Sequence, residues 1–298
     1  MSKRIDIPAA AKAAGMTRLI FEDDFDSIDT IAADGNDKPE HKWYTRCYGA
    51  HVKPEQITVQ DSYLRMEPDN YGIATYSRQL DQGFTVTCGC YLECRMRAPM
   101  PNGEYGGWPA FWTMGREDFM GREWKRAGEL DVVELFVTKN QQGEDQKYFA
   151  GSLHEHYRTG KIINGRWETL FANNTVNSTG YLDQFPFTDD DWHTYGALWE
   201  KGKVTWYMDG VEMHSVTYSE DKMPDFFYRD DPTPLTNEEP IRVEEITEER
   251  FGGVASWRSR NRGWVGAYTV FDEDIGVVIL SCRKTFPMDV DWVRIWRK

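Results

Sequence analysis

No stretch of this 298-residue chain approaches the ~18 consecutive apolar residues that a membrane-spanning helix requires. The opening "MSKRIDIPAAAKAAGM" has early basic residues but no apolar run of signal-peptide length. A chain that keeps this terminus is expected in the cytoplasm, and one trimmed of a signal outside it or in the periplasm. Cysteine is scarce: Cys47, Cys88, Cys90, Cys94 and Cys282 form no disulfide framework, and their odd number fits a reducing compartment. Cys88, Cys90 and Cys94 lie in a period-2 segment that would spread their thiols over ~20 Å, too far for one zinc ion. Positive charge is also short. Thirty-five Lys and Arg face 49 Asp and Glu, for a net charge of −14. Such a surface excludes nucleic acid and anionic membrane as natural partners and leaves a neutral or cationic ligand. Internal repeats and low-complexity linkers are absent, and helical periodicity is confined to "MPDFF" and "PIRVEEITEERF".

What is abundant is β-pattern and aromatic side chains. Segments such as "RLIFEDDF", "ITVQDSYLRMEP", "FTVTCGCYLECRMRA", "GWPAFWTM", "ELDVVELFV", "YFAGSLHEHY", "GVVILSC" and "VDWVRIW" alternate with Gly, Asn, Asp and Pro punctuation. "KVTWYMDGVEMHSV" predicts a hairpin closed at Asp209-Gly210, a dipeptide suited to a type I′ turn. So many strands without repeats predict an all-β sandwich of two face-to-face sheets. Residues 1–16 read as a leader and 17–298 as one domain. Residues 220–266, rich in charge, Pro and Arg, read as a lid or small insertion, since a structureless loop of that length is improbable inside a compact domain. Twelve Trp exceed the ordinary needs of a core, and a surplus lining a groove is what sugar binding uses.

The segment "GELDVVEL" places Glu129, Asp131 and Glu134 inside an otherwise apolar strand. Glu129 and Asp131 share a face, whereas Glu134 lies an odd number of residues from both Glu129 and Asp131 and faces the other way. Leu130, Val132 and Leu135 show the same conflict. One extra residue near Val132-Val133, a β-bulge, resolves both. Three carboxylates on one face fit a retaining glycosidase, in which one attacks the anomeric carbon and another protonates the leaving oxygen. Crowding of like charge would raise the pKa of Glu134 and keep it an acid. The same residues would also suit a solvated sheet face, or three oxygen ligands for a hard cation.

Gly128 to Glu134 resembles the active-site signature of glycoside hydrolase family 16 in its bulged form, E-x-D-x-x-E. "RLIFEDDFD", "GCYLECRMRAP", "GGWPAFWTM", "DWHTYGALWEKGKVTWYMDG" and "VDWVRIW" are similar to other segments of that family, in family order across most of residues 17–298. The resemblance implies a concanavalin-like β-jelly roll of two curved antiparallel sheets with a groove on the concave side. It implies Glu129 as nucleophile, Asp131 as assisting acid and Glu134 as general acid/base. Trp108 and Trp112 would stack on sugars, His154 would hydrogen-bond in the cleft, and Arg78 would line the negative subsites. His154 and His156 also share a strand face, which admits a metal-binding H-x-H. Catalysis would need no cofactor, but a structural calcium ion is conceivable at Asp291 with the Glu22-Asp23-Asp24 run.

The expected activity is endo-cleavage of β-1,3 or mixed-linkage β-1,3/1,4 glucan, with a polysaccharide or oligosaccharide as the partner. An endo-hydrolase of red-algal galactan, a β-agarase or β-porphyranase, remains open because Arg258, Arg260 and Arg262 would pair well with sulfate. A lectin-like jelly roll that only binds glycans is the alternative from outside the enzymes. Leu130 stands where the family usually has Ile, and "WRSRNRGW" has no counterpart in it.

Overall fold

The computed structural model describes residues 5–47, 50–99, 108–122, 126–139, 143–163, 166–178, 190–218, 270–283 and 286–298. The expected lid at 220–266, with Arg258, Arg260, Arg262 and both helix candidates, lies outside the described residues. Two eight-stranded sheets carry the fold. The first runs Val211–Thr217, Lys203–Met208, His193–Glu200, Cys90–Arg97, Met288–Arg297, Tyr63–Met66 and Ile57–Gln60, with Arg18–Asp23 also paired to Met288–Arg297. The second runs Arg166–Ser178, Asp145–Ile163, Arg126–Lys139, Trp108–Gly115, Gly276–Arg283, Asn70–Ala74, Trp43–Tyr44 and Ile31–Ala32. Pairing is antiparallel except between the last two strands of the second sheet. This is a β-jelly roll of two curved, packed sheets.

Period-2 alternation explains the layers. Leu92, Cys94 and Met96 from the first sheet meet Phe111, Leu130, Val278 and Leu280 from the second in one continuous buried cluster. The free thiols of Cys90 and Cys94 belong to this core, and burial pushes them far above the usual range. Cys88 precedes its strand and is half-buried, so the three thiols form no common site. The predicted hairpin forms, with Asp209 at φ 48° and Gly210 at φ 76°, the left-handed pair a type I′ turn needs.

The segment expected as a leader is partly built into the fold. A helix over Ala9–Ala13 lays Ala11 and Met16 on Tyr91, Leu198 and Trp296, covering the outer face of the first sheet.

The outer face of the first sheet is tied across strands by charge. Asp289 is fully buried and lies directly opposite Arg97 on one neighbouring strand and Arg65 on the other. It accepts from Arg97 Nε at 2.9 Å and from Arg65 Nη1 at 3.2 Å. Removing the buried partner takes the carboxylate from Arg97, while Arg65 keeps Glu67 at 2.9 Å. Asp289→Ala is therefore expected to cost about 3 kcal/mol, read as a lower denaturant midpoint; an unchanged midpoint would show that the two arginines rehydrate freely.

Candidate active site

The strand Arg126–Lys139 lies between Trp108–Gly115 and Asp145–Ile163. Its register slips once on both sides. Phe111 faces Val133 while Trp112 faces Asp131, and Ser152 faces Asp131 while Ala150 faces Glu134. The extra residue falls at Val132-Val133, where the alternation conflict required it. Leu130, Val132, Val133 and Leu135 are all at most 1% exposed in the core. Glu129 and Glu134 remain half-buried on the outward face, with Asp131 deeper at 2% exposure.

Neighbours on adjacent strands complete this face. His154 is directly opposite Glu129, and its Nε2 lies 3.0 Å from Asp131 Oδ2, ion-pair distance without hydrogen-bond alignment. One ligating atom from each of Glu129, Asp131 and His154 falls within 4.8 Å of the others, so these are the residues that could hold a cation. Glu134 is flanked by Ala110 and Ala150 on the neighbouring strands.

Trp108 and Trp112 do share the outward face, and both are half-buried. They do different things. Trp108 Nε1 donates to Glu134 Oε1, and its ring sits 5.6 Å from that of Phe136. Trp112 Nε1 donates to Ser281 Oγ at 3.1 Å, and its ring packs on a second apolar cluster. That cluster includes Tyr76, Met114, Phe119 and Ile279. Neither Phe136 nor Ser281 stood out in the sequence; strand register alone brings them beside the tryptophans.

The protonation pattern follows from burial. Glu134 is pushed up to about 8, first by burial, then by the charge of Asp131, with His154, the Trp108 hydrogen bond and Glu129 acting more weakly. Crowding of like charge was the expected cause, and it is real but secondary. Asp131 is held well above the usual carboxylate range by burial and then by Glu129. At neutral pH Glu134 therefore keeps its proton, and burial favours the protonated form of Asp131 as well.

Two further expected site residues are engaged by other parts of the protein. Arg78 donates to Met120 O at 3.2 Å and lies over the Phe119 ring, so it ties down the short helix Arg116–Met120. Asp291 is on the other sheet, where Arg95 Nη1 sits 2.5 Å from its carboxylate. The early acids are likewise engaged: Asp24 pairs with Arg294 at 2.9 Å, and Asp23 accepts from Phe25 N and Trp43 Nε1, each at 3.0 Å. Asp291, Asp24 and Asp23 thus each have a protein partner, while Glu22 Oε2 is buried without a hydrogen bond. For His156 the backbone pairs with Ala127, and its side chain is outside the described residues.

An acid-lined outward face on an antiparallel jelly roll, with indoles beside the carboxyls, defines a carbohydrate-acting protein. The chain matches the profile of glycosyl hydrolases family 16 over residues 47–237, more than half its length, and it belongs to that family. It is 27% identical over 127 residues to a glucan endo-1,3-beta-glucosidase A1 of Niallia circulans, covering 43% of this chain and 16% of that one. It is 32% identical over 137 residues to the endo-1,3-1,4-beta-glycanase ExsH of Rhizobium meliloti (strain 1021), covering 46% and 22%. The matches thus span less than a quarter of either relative. The fold is also that of an endo-beta-1,3-glucanase from Pyrococcus furiosus, with a TM-score of 0.50 at 18% identity and 94% of each chain covered.

Two outcomes test this electrostatic description. A donor to a carboxylate favours its charged form, so Trp108→Phe should move the Glu134 titration upward from about 8 in carboxyl-carbon NMR. A downward move would contradict the hydrogen bond. Glu134 has a folded pKa above its unfolded one. It therefore weighs nothing on folding below about pH 4.5 and costs progressively more stability as pH rises toward 8. The melting temperature of Glu134→Gln, relative to wild type, should accordingly climb between pH 4 and pH 8.

Proposed function

We propose that this chain is a retaining, endo-acting glycoside hydrolase that cleaves β-1,3 or mixed-linkage β-1,3/1,4 glucan. The observation that carries the reading is the pairing of unlike carboxyls on one groove face, Glu134 held protonated to about pH 8 and Glu129 half-exposed beside Asp131 and His154. Retaining hydrolysis needs one carboxylate as nucleophile and one carboxylic acid as proton donor.

In this mechanism Glu129 attacks the anomeric carbon while Glu134 gives its proton to the departing glycosidic oxygen. The C–O bond breaks, and a glycosyl ester forms on Glu129. Esterification removes the Glu129 charge that helps hold the Glu134 proton. The acid, now deprotonated, is thereby suited to take a proton from the incoming water, which attacks the same carbon and releases Glu129. Asp131, held protonated, serves as a donor that orients Glu129, and His154 positions Asp131 from the next strand. Trp108 orients the acid by its indole N–H while its face meets the sugar. No step calls for a cofactor.

The choice of β-glucan is supported by the names of the relatives, both endo-acting on 1,3-linked or 1,3-1,4-linked substrates. The galactan alternative rests on arginines outside the described residues. A pure glycan binder has no use for a carboxyl kept protonated at neutral pH, which weighs against the lectin reading.

The test is a panel of laminarin, barley β-glucan, agarose, porphyran and carrageenan assayed for new reducing ends. Release from the glucans, with the β-anomer formed first, supports the proposal; release only from the galactans, or an initial α-anomer, overturns it. Glu129→Gln and Glu134→Gln are expected to lose roughly 10³-fold or more in kcat. Azide should restore turnover of an activated aryl glycoside in Glu134→Ala and yield the β-glycosyl azide.

A further inference from the structure

Trp206 lies on Lys203–Met208 in the first sheet, is wholly buried, and is absent from the groove. Its indole nevertheless reaches the acidic strand from beneath: Nε1 donates to the backbone carbonyl of Asp131 at 2.8 Å. Asp131 is the last residue before the register slips. In an unbroken antiparallel strand, main-chain carbonyls lie in the sheet plane and point at neighbouring strands. A bulge disrupts that ladder locally. A carbonyl that accepts from the opposite sheet is turned toward the core, and a buried carbonyl turned that way needs a donor there.

The surroundings are shaped for this one contact. Gly151 sits on the adjacent strand between Ala150 and Ser152, the residues that face Glu134 and Asp131. A methyl group at Gly151 would overlap Cδ1 and Nε1 of Trp206. A glycine inside a strand marks a close approach by another group, and here that group is the indole. Trp206 is also where its own strand slips register against Val211–Thr217, opposite His214. Two irregular strands in facing sheets thus meet at one hydrogen bond.

We infer that Trp206 is a positioning residue for hydrolysis: by donating to the Asp131 carbonyl it fixes the bulge that sets Asp131 and Glu134 relative to Glu129. The inference rests on the hydrolase reading above. It assigns to a residue that never meets substrate the spacing between nucleophile and acid. Small displacements of reacting groups can cost about 10²-fold in rate, so the effect should be large for a single neutral hydrogen bond.

Trp206→Phe keeps an aromatic ring and removes the N–H. On whichever glycan the wild-type enzyme hydrolyses, kcat is expected to fall about 10- to 100-fold with KM little changed. The alkaline limb of the pH profile should also move, because displacing the Asp131 backbone changes the surroundings of the Glu134 carboxyl. In parallel, amide hydrogen exchange over residues 129–135 should quicken, a readout that does not depend on turnover. If Trp206→Phe does not fold, 3-benzothienylalanine at position 206 replaces N–H by sulfur in a ring of the same shape and takes its place. A folded variant with wild-type kcat, pH profile and exchange overturns the inference while leaving the hydrolase reading intact. A wild type inactive on every glycan overturns that reading instead, and the exchange rates then still decide whether Trp206 holds the bulge.

Discussion

Everything distinctive about this molecule depends on one extra residue in a strand. Side chains in a β-strand alternate with a period of two, and no regular strand can send both Glu129 and Glu134 to one face. The slip at Val132-Val133 resolves this while burying Leu130, Val132, Val133 and Leu135. Core and groove therefore make the same demand of the backbone. A hydrophobic requirement, worth roughly 1.5–3 kcal/mol for each large apolar side chain buried, enforces the geometry that the acidic face also needs.

How much of this was legible from sequence depends on the range of the interaction. The bulge was readable because its cause is local: eight consecutive residues contain both the apolar and the acidic pattern. The shared face of Trp108 and Trp112 was readable for the same reason. Their different partners were not, because Glu134, Ser281 and Phe136 are set by strand pairing across as many as 169 residues. The partners of Asp291 and Arg78 were hidden for a related reason. Register brings Arg95 against Asp291 from 196 residues away in sequence. A short helix offers Arg78 both Met120 O and the Phe119 ring. Gly151 was the neglected clue, since a lone glycine between apolar and polar strand residues announces a close neighbour without saying which.

The pKa of Glu134 also shows how physical cause differs from sequence proximity. Three acids within six residues make mutual repulsion the obvious source of a raised pKa. Burial contributes more, because the bulge draws the carboxyl against Trp108, Ala110 and Ala150 and away from water. The charge of Asp131 adds to this, and that acid is itself buried and raised. Proton retention at Glu134 is thus a property of the strand's path more than of its composition.

The contrast between the two sheets sharpens the functional assignment. This fold has cations to place against its acids, and on the first sheet it does so: Arg65 and Arg97 for Asp289, Arg95 for Asp291, Arg294 for Asp24. Glu134, on the second sheet, is met instead by an indole N–H, and Asp131 by an imidazole. A protein under selection for stability alone would pair or replace such buried carboxyls, since an unpaired buried charge costs several kcal/mol. An indole N–H at Glu134 keeps its proton transferable: an arginine beside Glu134 would lower its pKa and leave it ionised, unable to protonate a leaving oxygen. The same residue chemistry, met by guanidinium on one sheet and by an indole and an imidazole on the other, separates scaffold from candidate site within a single jelly roll.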